Sequence, residues 1–189
     1  SNPQGICYSD ETVKRFAALK PKAADFRIFW DNAYCVHHIT DDTSRILSLL
    51  KEAKAVGNDN IAYIFGSTSK VTFSGSGVAV IGTSAENIAS LKKALTVSTI
   101  GYDKINQLRH VRYFGNYDNI LKHMNKHREL LEPRFNAVTE TLEREITPCG
   151  EIGSWVKPKG GYFVSFNSMN GCAKRIVQLC AEAGVTLTN

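Results

Sequence analysis

Long apolar runs are missing from this sequence. None of its 189 residues lies in a stretch near the roughly 20 apolar residues that a membrane-spanning helix needs, so no membrane partner is expected. Paired cysteines are missing too. Cys7, Cys35, Cys149, Cys172 and Cys180 are isolated and odd in number. Without a Cys-x-x-Cys spacing, neither a disulfide framework nor a zinc site is expected. Reduced thiols in the cytoplasm are the default expectation. A strong charge imbalance is also absent. The net charge of +5 is carried by basic residues scattered among acidic neighbours, which argues against a nucleic-acid footprint. Proline is scarce, and there is no internal repeat or low-complexity tract. With 43% hydrophobic and 22% charged residues, the chain can bury a core as one large domain or one and a fraction.

Both termini read as cuts inside structure. The chain opens on the turn chemistry Asn2-Pro3-Gln4-Gly5 and stops within a strand-like run over 184–189. A piece of a longer protein is therefore expected. Between these ends, Ser9-Asp10-Glu11 caps a helix running to about Leu19. The aromatic run 26–30 reads as a strand with Asp31 at its C-terminal end. A helix is expected from about Ser44 to Ala55, closed by Gly57-Asn58. Strands are expected over 61–65 and 77–81, with Phe65-Gly66-Ser67-Thr68-Ser69-Lys70 leaving the first. Strand, helix, strand with apolar runs predicts a mainly parallel sheet covered by helices. Ligands bind at the C-terminal strand ends of such sheets, where Asp31 and Lys70 both fall.

Helices follow over 84–99 and 103–112. A long charged helix over 117–145 contains Pro133, with a kink or break expected there. Two short strands, 151–156 and 162–166, precede a helix over 172–183. A domain boundary is placed near 115, in Phe114-Gly115-Asn116.

The lysine in Phe65–Lys70 admits two readings. A phosphate loop needs glycine immediately before the lysine and another five residues earlier. Ser69 precedes Lys70, and the earlier glycine is absent. A Schiff-base lysine fits better. Burial between strands would remove solvation and ease deprotonation of the amine. Ser67 and Ser69 would offer hydroxyls to a phosphate, Asp31 a carboxylate to a ring nitrogen, and Tyr34 a phenol to a ring oxygen. Taken singly, Asp31 reads as a turn aspartate and Tyr34 as a packing residue. His37-His38 point oppositely if on a strand, His123 and His127 share a solvated helix face, and Trp30 and Trp155 read as core.

Asn2-Pro3-x-Gly5, Asp31-x-x-Tyr34 and Ser67-x-Ser69-Lys70, in that order, resemble the class I aminotransferases that use pyridoxal 5'-phosphate (PLP). These have the aspartate aminotransferase fold, and the wording is closest to its bacterial aspartate-aminotransferase-like subgroup. Pro158-Lys159-Gly160-Gly161-Tyr162-Phe163 resembles the first small-domain strands of that family. The resemblance implies an α/β fold: the C-terminal half of a three-layer α/β/α large domain over 1–115, then a bridging helix and the first part of a small α+β domain over 116–189. It implies that Lys70 is catalytic and carries PLP as a Schiff base, that Asp31 pairs with the pyridine nitrogen, that Tyr34 and Asn2 bond the phenolic oxygen, and that Ser67, with Ser69, binds phosphate. The implied substrates are an amino acid and a 2-oxo acid, with aspartate or glutamate favoured by the subgroup, and the implied assembly is a homodimer. The chain departs from the family where an arginine usually follows the lysine by about eight residues. Here stand Ser74-Gly75-Ser76-Gly77-Val78, whose backbone amides are expected to replace it in part. The family's upstream phosphate turn and downstream carboxylate-binding arginine have no counterpart here, so no transamination is expected of the 189 residues alone. Two alternatives share the cofactor residues: another PLP enzyme of this fold (lyase, decarboxylase or synthase), and the PLP-binding sensor domain of a transcription regulator.

Overall fold

The computed structural model describes residues 2–41 and 45–188. Helix α1 spans Asp10–Ala17 and starts where expected, because Ser9 Oγ accepts from the Thr12 amide at 3.2 Å. Strand β1 is Ile28–Asp31 and β2 is Ala62–Ser67. Helix α2, between them, spans Leu49–Ala55. This is shorter than the 44–55 expected: Ser44 lies outside the described residues, and 45–48 are not helical. Ser48 sets the start, its Oγ accepting from the Lys51 amide.

The sheet order is β1-β2-β3, with β3 at Ala79–Gly82. β1 and β2 run parallel, Ile28 beside Ala62 and Asp31 beside Phe65. β2 and β3 run antiparallel, which corrects the expectation of a mainly parallel sheet. The reason lies in the connection. Residues 68–78 form turns and no crossover helix, so the strand can only return against β2.

The main core lies between one sheet face and helices α1 and α2. Val13, Ala17, Leu49, Ala53, Ile61 and Ala62 are buried there, with Ile28, Trp30 and Ile64 packed against them. Side chains alternate along a strand, so the residues between these point the other way. Phe29, Tyr63 and Phe65 do so, and Phe29 remains 73% exposed.

Helices α3 (Ala85–Ser98) and α4 (Lys104–Phe114) follow, then α5 (Tyr117–Glu145). α5 is one 29-residue helix with Pro133 inside it. Met124, Phe135 and Thr139 are its buried positions, three of them on a 29-residue surface that is otherwise polar or partly exposed. Met124 joins Val71 and Phe114 in a second core beneath the Lys70 loop.

Strands β4 (Gly153–Trp155) and β5 (Phe166–Ser168) form a small antiparallel pair, and α6 spans Ala173–Glu182. Trp155 is half-buried, stacked on Phe166 across this pair. The strand expected at 162–166 begins only at Phe166. The preceding residues turn back to the first half of the chain. Gly161 N donates to His37 O at 2.9 Å, Ile39 N donates to Lys159 O at 3.1 Å, and Gly160 bridges His38.

Candidate functional site

Parallel pairing fixes the site's first feature. β1 and β2 end at the same sheet edge, so Asp31 and the loop leaving Ser67 open on one side. Asp31 is exposed, and its Oδ1 accepts from the Ala33 amide at 3.0 Å. This is the turn geometry considered for Asp31 on its own, and it also fixes the direction of the carboxylate. Tyr34 is half-buried, edge-on to His37 (5.3 Å between ring centroids) and to Tyr162 (5.8 Å).

Asn2 sits in an exposed turn with a cis bond to Pro3. Gly5 closes that turn at φ +71°, buried against Pro158, where an added Cβ would lie 2.6 Å from the Pro158 Cβ. Asn2, Asp31 and Tyr34 all line one cleft of about 1100 Å³. Lys70, Ser67 and Ser69 do not line it. The expected site residues thus form two groups, one in the cleft and one on the loop beside it.

On the loop, Ser67 and Ser69 pair through their hydroxyls at 2.8 Å, and the Ser69 amide donates to Ser67 Oγ. Gly77 packs so tightly against Ser69 that an added Cβ would meet its Oγ. Lys70 is exposed, so the loss of solvation expected for it is absent. Its neighbour Val71 is 4% exposed and joins the second core. The turn that separates them is closed by the Val71 and Thr72 amides donating to Thr68 O.

Four side chains from distant segments hold this loop by its main chain. His37 Nε2 and Tyr162 OH both donate to Lys70 O, each at 3.1 Å. His123 Nε2 donates to Val71 O at 2.8 Å. Asn106 Nδ2, from α4, donates to Ser76 O and Gly77 O at 2.8 and 3.2 Å. His110 adds a link between its helix and Thr68 Oγ1 at 2.8 Å. His110 Nδ1 faces the Asn106 carbonyl at 2.9 Å and so carries the proton, which in the neutral ring leaves Nε2 to accept from Thr68.

His123 is therefore a ligand of the loop and not part of a solvated face. Its ring lies 4.7 Å from that of His127. Burial, then His123, pushes the His127 imidazole below its ordinary range. Burial does the same to His37, reinforced by His127 and His38. The Lys70 and Tyr34 carbonyls oppose the shift without outweighing it. Burial and Tyr34 push the Tyr162 phenol up, which keeps it a donor. Among the described residues no cluster of three or more metal-capable side chains exists.

The glycine-rich stretch is less open to a phosphate than expected. The Val78 amide is taken by Thr68 Oγ1 and the Ser76 amide by Phe73 O. The loop's holders escaped the sequence reading because they lie 29 to 92 residues from their partners. The adjacency of His37 to the Asp31-x-x-Tyr34 motif, and of Tyr162 to Gly160-Gly161, was the available signal.

The family described as aspartate amino-transferase matches residues 1–189. A Mycolicibacterium smegmatis protein provisionally named an aminotransferase is 46% identical over 188 residues, and the aspartate aminotransferase of Corynebacterium glutamicum is 40% identical. Both alignments cover all of this chain but only 44% and 43% of those proteins, so the chain spans less than half the length of either. Among solved structures, an aspartate transaminase from C. glutamicum superposes with a TM-score of 0.94 at 40% identity, over 100% of this chain and 44% of that one.

Proposed function

The chain belongs to the aspartate amino-transferase family, and from that premise we propose that it carries the lysine-bearing part of an aminotransferase site. The reaction moves an amino group between an amino acid and a 2-oxo acid. The carrying observation is the parallel β1-β2 pair, which sets Asp31 and the Lys70 loop on one sheet edge.

The residues present fit PLP in kind. Asp31 is an anchored, exposed carboxylate, Tyr34 and Asn2 are donors in the same cleft, and Ser67 and Ser69 place two hydroxyls at the loop's start. Asp31 would hold a protonated ring nitrogen, and Asn2 and Tyr34 would donate to the ring oxygen. Ser67, with Ser69, would donate to the phosphate. Bound there, the cofactor would supply an electron sink for the bond broken at the substrate's α-carbon. Lys70 Nζ would hold the cofactor covalently at rest and move the α-carbon proton during turnover.

An acidic substrate is supported by the name of the C. glutamicum relative and by charge. The cleft is lined by Arg45, Lys122, Lys126, Arg128 and Lys159 against Asp31 and Glu129. Arg128 is already engaged by Asp41 and Glu132. A large-domain part to about 115 and a small-domain part beyond it, within a three-layer α/β/α homodimer, complete the reading. A cytoplasmic setting accords with five free cysteines.

The test is an absorbance band in the near-ultraviolet or visible that stays with the protein at its natural length after PLP has been added and the unbound aldehyde removed. The band should vanish in Lys70→Ala. No band in the unsubstituted protein sinks the proposal.

A further inference from the structure

We propose that His37 and Tyr162 are positioning residues that aim Lys70 through its main-chain carbonyl; the catalytic sense of this rests on the aminotransferase reading of Lys70. The lysine side chain is exposed, and among the described residues its Nζ has no hydrogen-bond or ion-pair partner. Four methylenes separate that amine from the backbone. What fixes its origin is therefore the peptide unit from which it springs.

That unit is held at both ends. Lys70 O accepts from His37 and Tyr162, and at the other end of the same peptide the Val71 amide donates to Thr68 O at 2.9 Å; the next carbonyl, Val71 O, accepts from His123. Val71 itself is sunk in the second core. The Lys70–Val71 peptide plane cannot turn without breaking these bonds, so the direction in which the lysine leaves the chain is set.

The two donors come from opposite sides of the sequence, 33 residues before Lys70 and 92 after it. They also brace each other. His37 and Tyr162 lie edge-on at 5.3 Å between centroids, and Tyr34 closes the triangle. A carbonyl only accepts, so His37 Nε2 carries the proton and Nδ1 is bare in the neutral ring. His37 is 3% exposed, and its buried Nδ1 makes no hydrogen bond of ordinary geometry, although the Tyr34 carbonyl acts on the ring. An unpaired buried nitrogen is costly. Displacing a reacting amine by about 1 Å can slow a reaction on the order of a hundredfold, so such a clamp has a kinetic consequence.

The experiment uses the protein at its natural length and three variants. Tyr162→Phe removes only the hydroxyl. His37→Phe keeps a ring and loses the donor, whereas His37→Gln keeps an N–H near the position of Nε2. The first readout is the rate at which PLP becomes attached to Lys70, trapped by borohydride and read by peptide mass. The second, free of cofactor, is hydrogen–deuterium exchange over 68–78.

Tyr162→Phe and His37→Phe should each slow trapping about fivefold, the weight of one neutral hydrogen bond, and speed exchange of the loop. His37→Gln should recover most of both, and Tyr162→Phe should melt within a few degrees of the unsubstituted protein. Unchanged exchange and trapping in Tyr162→Phe overturn the proposal, as does a His37→Gln variant no better than His37→Phe. If His37→Phe does not fold, Tyr162→Phe decides alone. Absence of any Lys70 adduct in the unsubstituted protein would refute the aminotransferase reading, while exchange still judges the clamp.

Discussion

Lys70 and Val71 are adjacent, yet one is exposed and the other is buried against Phe114 and Met124, while histidines and a tyrosine far away in sequence hold the carbonyls of both. His37 has a testable signature. Its ring titrates below the ordinary imidazole value of 6.5 because it is buried. The unfolded chain then binds the proton more readily than the folded one. The stability His37 contributes is complete above about 6.5 and is lost as the pH falls below that value. His127, also depressed, acts with the same sign. Urea midpoints measured against pH should therefore fall on the acid side, and less steeply in His37→Gln. Identical acid slopes would refute the assignment. Gly5 gives a second test. Its φ of +71° and its contact with Pro158 are separate obstacles to a side chain, whereas Gly57, at φ +70°, has nothing within 4 Å of an added Cβ. Gly57→Ala should cost about 1 kcal/mol, from backbone strain alone, and Gly5→Ala about 2–3, since the neighbouring Pro158 must also move. Equal losses in denaturant midpoints would mean that the turn 2–5 is not braced by Pro158.

The elements show what could be read from the chain and what could not. Caps and periodicity located α1, α3 and α6 to within a few residues, and the span of α5, although that helix runs on through Pro133 where a kink or break was expected. The edge shared by Asp31 and the lysine loop was also legible, since strand ends can be counted. The direction of β3 was not, because apolar runs look alike in parallel and antiparallel sheets and only the length and turns of 68–78 decide. The strand expected at 162–166 failed for a related reason. Gly161 and Tyr162 bond to His37 and Lys70, and no local pattern encodes partners so distant. The exposure of Lys70 was misjudged because an apolar flank does not say which neighbour turns inward. The α4 helix now acquires a definite task, holding the loop through Asn106, which is 8% exposed. Asn106→Ala would leave the Ser76 and Gly77 carbonyls without that donor, at about 1–3 kcal/mol, and proteolysis within 68–78 should quicken. An unchanged cleavage rate would mean that the loop is held without α4.

At the scale of the molecule, one sheet face is packed under α1 and α2, while Phe29, Tyr63 and Phe65 of the other line a shallow hollow with Ile81 and Leu91. Phe29 and Ile81 are 73% and 39% exposed. Apolar surface of this kind should bind a hydrophobic dye when the 189 residues are prepared alone, and Phe29→Ser should weaken the signal; a dark dye would contradict the arrangement. The central claim is narrower: among all the lysines of this chain, the one leaving β2 at the Asp31 edge is the reactive amine. The direct measurement is peptide mass mapping after PLP and borohydride are added in turn to the protein at its natural length. The account predicts a reduced adduct on Lys70 ahead of every other lysine, abolished in Lys70→Arg. Modification scattered over exposed lysines, with Lys70 no faster than the rest, would contradict it.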